Sequence, residues 1–135
     1  MARALRLFGL QMAKNVLIVD DDRDLRQIYA KFLQSLGYET SEAASGSEAI
    51  DAVIANKPNL ILLDLNLSDM KGTDAVQAIR KHPRTAHVPI IGCSAYSETE
   101  FREEALRAGM VYYLQKPFSL ARFMTVLEQL ALSEP

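Results

Sequence analysis

Leu60-Ile61-Leu62-Leu63-Asp64 is a run of four apolar residues closed by one acid, and similar short runs recur along the chain. They are Val16-Leu17-Ile18-Val19, the weaker Tyr38–Ala43, Val88-Pro89-Ile90-Ile91 and Val111-Tyr112-Tyr113-Leu114. Unbroken apolar runs of this length suit parallel strands covered on both faces. Helical patterns separate them. Leu25, Ile28, Tyr29, Phe32, Leu33 and Leu36 fall on one helical face, which Gly37 brings to a stop. Ser47–Ile54 gives a second helix, closed before Pro58, and Asp74–Arg80 a third, ended by His82-Pro83. The fourth spans Ser97–Ala108, with Ser97 as N-cap and Gly109 as its stop. The fifth runs from Leu120 to Leu132 behind Ser119, with Leu120, Phe123, Val126, Leu127 and Leu130 on one face. The alternation predicts an α/β fold: a (βα)5, doubly wound, parallel five-stranded sheet with right-handed crossovers.

The chain has 135 residues, room for one domain with a real core. It is 49% hydrophobic and 24% charged, which reads as an ordinary globular protein. A net charge of -2 offers no basic field for nucleic acid, and no apolar run is long enough to span a membrane. A single cysteine, Cys93, excludes an internal disulfide and fits a buried thiol in a reducing cytoplasm, so a cytoplasmic protein is expected. Residues 1–13 read as a flexible N-terminal extension ahead of a domain over 14–132. Leu7-Phe8-Gly9-Leu10 is too short for a signal-peptide core, and Met12 is a natural start. A short amphipathic docking helix is the sharper alternative for this stretch, though so short a helix is marginal alone.

In an open α/β sheet, ligands bind beyond the carboxyl ends of the strands. The first run leads into Asp20, Asp21 and Asp22, and the third ends directly in Asp64. The fourth passes through Gly92-Cys93 to Ser94, and the fifth through Gln115 to Lys116-Pro117. Carboxylates, a hydroxyl and an amine therefore converge on one edge. Two carboxylates about 4 Å apart repel by about 4 kcal/mol at an effective dielectric near 20, so a proton or cation must intervene. An all-oxygen donor set points to a hard ion, Mg²⁺. Asp22 alone is better read as a helix cap. An ion, an amine and a hydroxyl around a carboxylate suit a phosphoryl group, with that carboxylate as nucleophile.

Four stretches in order resemble the two-component response-regulator receiver domains, in the manner of the stand-alone CheY-like proteins. They are Val16–Asp22, Leu60–Asp64 continuing to Gly72, Ile91–Ala95 and Tyr113–Phe118, and the resemblance covers residues 14–132. It implies a flavodoxin-like fold with strand order 2-1-3-4-5. It further implies that Asp64 accepts phosphate from a sensor histidine kinase or histidine phosphotransfer protein. Mg²⁺ would be held by Asp21 and Asp64, by Asp20 through water, and by the backbone carbonyl of Asn66. Lys116 would pair with phosphoryl oxygens across a cis Lys116-Pro117 bond, and Gly72 would serve the turn closing the phosphorylation loop. Ser94 and Tyr113 would form the switch pair, Ser94 drawn to the phosphoryl group and Tyr113 filling the space vacated. The neighbouring Tyr112 leaves open which ring moves.

The chain departs from the family pattern at Ser68, where a proline is usual, and at Tyr96, whose bulk near the phosphate mouth would slow attacking water. The resemblance implies a switch, not an enzyme beyond its own phosphorylation and dephosphorylation. It would signal by protein contact through the fourth helix, fifth strand and fifth helix, as a monomer or phosphorylation-dependent dimer. A receiver cut from a longer DNA-binding or enzymatic regulator is one alternative. An inert pseudo-receiver is another, disfavoured by the retained acids and lysine. A small aspartate-nucleophile phosphatase is the third; Asp64-Leu65-Asn66 lacks the second aspartate such enzymes use as general acid.

Overall fold

The computed structural model describes residues 14–133, and the expected extension over 1–13 lies outside the described residues. The chain alternates β1 (Asn15–Val19), α1 (Arg23–Ser35), β2 (Glu39–Ala43), α2 (Gly46–Ala55) and β3 (Leu60–Asp64). It continues with α3 (Gly72–Lys81), β4 (Ile90–Ser94), α4 (Glu98–Ala108), β5 (Tyr112–Gln115) and α5 (Leu120–Ser133). The strands form one sheet in the order β2-β1-β3-β4-β5, with every pairing parallel. This is the expected doubly wound (βα)5 arrangement.

Side chains alternate across a strand, so each apolar run feeds both faces. Leu17, Val19, Ile61 and Leu63 pack on one side with Ala49 and Val53 of α2, Val76 and Ile79 of α3, and Ala105 of α4. Val16, Ile18, Leu60 and Leu62 pack on the other with Tyr29 and Leu33 of α1 and Phe123 and Val126 of α5. Burial on both sides is why the central strands carry no polar alternation. The edge strand β2 buries only Ala43 and reads accordingly as the weakest of the five.

Helix ends follow the sequence signals where a side chain or glycine sets them. Asp22 caps α1 by accepting from the N–H groups of Asp24 and Leu25, at 2.9 and 3.2 Å. Ser97 caps α4 and Ser119 caps α5, each through the N–H three residues on. Gly37 and Gly109 take φ of 95° and 106°, the left-handed conformation that only glycine adopts without strain. Several boundaries shift by a residue or two, and three of the shifts have a visible cause. The fourth strand is Ile90–Ser94 rather than Val88–Ile91, because Pro89 has no N–H to give a ladder and pairing with β3 begins at Ile90. The fifth begins at Tyr112 rather than Val111, in step with β4. The third helix starts at Gly72, two residues before Asp74, because its N-cap Lys71 makes no side-chain capping bond that would show in sequence.

Arg80 ties the opposite end of the fold. Its guanidinium donates to the Gly109 carbonyl at 3.1 and 2.7 Å and to the Val88 carbonyl at 2.6 Å. One side chain thus joins the end of α3, the entry to β4 and the exit from α4. Arg80→Ala leaves partly buried carbonyls without their donors and is expected to lower stability by about 1–3 kcal/mol in urea unfolding.

Candidate functional site

The carboxyl ends of β1, β3, β4 and β5 bring Asp20, Asp64, Ser94 and Lys116 to one edge of the sheet. Asp20 and Asp64 are 2% and 6% exposed, which makes their charge costly unless it is compensated. Both solve this in the same way. Asp20 Oδ1 accepts the N–H of Asp22 and Asp64 Oδ1 accepts the N–H of Asn66, each at 2.9 Å. Their second oxygens meet at Lys116, whose Nζ donates to Asp20 Oδ2 at 2.7 Å and to Asp64 Oδ2 at 3.3 Å. Asp21 is exposed beside them, and one ligand oxygen from each of the three aspartates lies within 4.8 Å of the others.

Burial raises the Asp64 carboxyl above its usual value, against the lowering pull of the Asn66 N–H and the Lys116 charge. Burial also works against the Lys116 ammonium, but hydrogen bonding to Asp20 and the nearby charge of Asp64 hold it above its ordinary value. Cys93, beside them in β4, is fully buried; desolvation raises its thiol so far that it stays protonated. Three carboxylates cluster around one ammonium that pairs with two of them, which leaves a negative surplus on hard oxygen donors. The donor chemistry therefore fits a divalent ion such as Mg²⁺.

Lys116 is held from behind by its own N–H, which donates to the Ser94 carbonyl at 2.7 Å, and the Lys116-Pro117 bond is cis. Gly72 donates its N–H to the Leu65 carbonyl at 2.9 Å and lies so close to Leu65 that a Cβ there would meet its backbone. Close approach, not a left-handed backbone, is what this position asks of glycine. An antiparallel bridge between Asn66 and Lys71 closes the same loop. Ser68 is exposed within it.

Ser94, Tyr96 and Tyr113 form a closed ring of hydrogen bonds. Tyr113 donates its hydroxyl to the Tyr96 carbonyl, so its oxygen accepts from the Ser94 hydroxyl at 2.7 Å. Ser94 Oγ in turn accepts the N–H of Tyr96 at 3.1 Å. Tyr113 is 3% exposed and packs with the core beneath α3 and α4. Phe101 of α4 stacks on Tyr96 at 5.6 Å and leans on Tyr113 at 5.3 Å. Tyr96 itself is 55% exposed. Tyr112 points elsewhere, its hydroxyl accepting from Arg122 at 3.2 Å with the guanidinium over its ring. Tyr113 is therefore the ring that faces Ser94.

Three residues at this edge escape a reading of the sequence. Arg26 of α1 donates to the Asp20 carbonyl at 2.7 Å and pairs with Glu42 at 3.0 Å. Phe101 looks like any apolar helix residue. Asp69 accepts from the N–H groups of Gly46 and Ser47, which hold its carboxyl below the usual carboxylate range. Its partners lie more than 20 residues away, beyond the reach of any local pattern.

This fold and edge define a receiver-type phosphorylation switch, and the comparisons agree. Residues 16–128 match the family model of the response regulator receiver domain, and the chain belongs to that family. The polar-differentiation response regulator DivK of Brucella ovis is 29% identical over 117 residues, covering 87% of this chain and 95% of DivK. The chemotaxis response regulator CheY4 of Vibrio cholerae superposes with a TM-score of 0.83 at 30% identity, over 87% of this chain and 98% of that one. The receiver domain of a sensor histidine kinase from Pseudomonas aeruginosa PAO1, solved with magnesium coordinated in its active-site cleft, gives 0.79 at 31%, over 87% and 97%. Among the described residues no helix is long and apolar enough to cross a membrane.

The hydrogen-bonded ring separates two contributions of Tyr113. Tyr113→Phe removes only the hydroxyl and should cost about 0.5–1.5 kcal/mol in urea unfolding. Tyr113→Ala also empties the core position and should cost about 3–5 kcal/mol by the same measurement.

Proposed function

We propose that Asp64 is the phosphoacceptor of this switch, receiving its phosphoryl group from a histidine of a sensor kinase or phosphotransfer protein. The observation that carries this is the pairing of Asp64 Oδ2 with Lys116 at 3.3 Å beside Asp20 and Asp21. The carboxylate oxygen attacks phosphorus, the P–N bond to the donor imidazole breaks, and an acyl phosphate forms on Asp64. Asn66 N–H keeps the other oxygen turned away, so Asp64 presents one face to the incoming group. Lys116 loses part of its contact with Asp64 and neutralises a phosphoryl oxygen instead.

Asp20, Asp21, Asp64 and the Asn66 carbonyl would hold Mg²⁺. Bound there, the ion would supply positive charge against the phosphoryl oxygens. Asp20 is buried and Asp21 exposed, which suits an ion at the mouth of the cleft. Hydrolysis of the acyl phosphate resets the chain, so its chemistry is confined to its own phosphorylation and dephosphorylation.

Readout runs through Ser94. Its hydrogen, now given to Tyr113, turns to a phosphoryl oxygen, and Tyr113 loses a donor while keeping the Tyr96 carbonyl as acceptor. The phosphoryl group thus biases an existing equilibrium by the difference in its contacts in the two states. Phe101 links that difference to α4, and the surface of α4, β5 and α5 is the face presented to a downstream protein or a second copy.

Incubation with Mg²⁺ and acetyl phosphate should yield a chain heavier by one phosphoryl group in intact mass, and Asp64→Asn should yield none. A parent chain that takes up no phosphoryl group would support the inert module instead. Tyr96→Ala should shorten the phosphorylated lifetime, followed by the same mass measurement over time after acetyl phosphate is removed. A lifetime equal to that of the parent would show that the ring does not restrain water.

A further inference from the structure

The loop from Leu65 to Lys71 carries Asn66, whose N–H orients Asp64. It is closed at its base by the Gly72 N–H to the Leu65 carbonyl and by the Asn66–Lys71 bridge. Hydrogen bonds within the loop do not fix where its outer half sits on the molecule. That is set by Asp69 and Met70. Asp69 Oδ1 accepts the Gly46 N–H at 2.9 Å and Oδ2 accepts the Ser47 N–H at 3.0 Å. The Met70 side chain lies over Gly46, where a Cβ would come within 2.5 Å of Met70 Cγ. Two consecutive loop residues are thereby seated on the first turn of α2.

Helix α2 does not need Asp69 for its identity as a helix. Ser45 already caps it, accepting the Glu48 N–H at 3.1 Å. Asp69 instead uses the two N–H groups ahead of that cap, which a helix start leaves without intrahelical partners. The bidentate contact commits both carboxylate oxygens to a neighbouring element, with lesser pulls from the N–H groups of Asp69 and Met70 in its own loop. It is a tether between elements.

We propose that Asp69 is a positioning residue for the phosphorylation site: by anchoring the loop to α2 it sets the placement of Asn66 and so of Asp64. The inference rests on Asp64 and the Asn66 carbonyl having the roles given above. Asp69 touches neither the phosphoryl group nor the ion. Its effect passes through the loop, as groups behind a metal ligand tune affinity by orienting that ligand.

The test compares Asp69→Ala and Asp69→Asn with Ser45→Ala, which weakens the same helix start without touching the loop. Mg²⁺ affinity is measured by calorimetry, and acetyl phosphate uptake by intact mass. Asp69→Ala should weaken Mg²⁺ binding by about tenfold, at the lower end of such effects. Asp69→Asn retains one acceptor oxygen and should fall between Asp69→Ala and the parent. Ser45→Ala should lower the melting temperature but leave Mg²⁺ affinity at the parent value. An unchanged affinity in Asp69→Ala, or an equal loss in Ser45→Ala, overturns the proposal. If the parent takes up no phosphoryl group, the phosphoacceptor reading falls by itself. The tether is then judged by the Asn66 amide resonance, which shifts in Asp69→Ala if the loop moves and overturns the proposal if it does not.

Discussion

Two buried carboxylates at one edge of a sheet repel each other, and Lys116 offsets that cost. The ammonium reaches Asp20 and Asp64 from β5, while each acid gives its remaining oxygen to an N–H two residues ahead. The pattern satisfies four carboxylate oxygens with three donors and fixes both acids in orientation. It also spans the sheet's edge. Acids on the neighbouring strands β1 and β3 face an amine from β5, and β4 lies between β3 and β5 with Ser94 at its tip. Charge compensation that depends on strands separated in sequence makes the site a property of the whole fold, not of any motif within it.

The same interaction explains the chemistry available there. Breaking a buried ion pair by removing one partner is costly, whereas exchanging one anion for another beside the same cation is not. On the proposed reading, a phosphoryl group on Asp64 would bring its own oxygens to Lys116, so the ammonium would keep an anionic partner. Ser94 would be in a comparable position, its hydrogen exchanging one acceptor for another. Such events would be exchanges of partners within a preformed frame, the condition under which electrostatic stabilisation is most effective.

The strand runs, the helix faces and the glycine stops were readable because each is set by neighbours a few residues away. The alternation of Leu60–Leu63 between two cores required only that both faces be covered. Asp20, Asp64, Ser94 and Lys116 were readable for a related reason: the two acids follow their apolar runs directly, Ser94 and Lys116 within three residues, and strand ends share an edge. The rest depended on distance in sequence. Asp69 meets its partners on another helix, Arg26 reaches a carbonyl behind Asp20, and Phe101 becomes significant only when two tyrosines flank it. The start of β4 was misplaced because Val88-Pro89 is as apolar as the strand it precedes, and only pairing with β3 separates them. The hydrogen bonds that tie Tyr113 to Ser94 and to the Tyr96 carbonyl join residues 17 to 19 apart and leave no local mark either.

Arg80 gives this arrangement a mechanical asymmetry. Its guanidinium grips the carbonyl of Gly109 at the exit from α4, while the other end of that helix begins at Ser97, next to the Ser94–Tyr96–Tyr113 ring. One end is bolted to the base of the sheet, and the other is held at the site edge by the Glu98 N–H on Gln115 Oε1 and by Phe101 against Tyr96 and Tyr113. Where the fold is bolted down, as much as where it is charged, therefore limits which end of α4 a change at the site could reach.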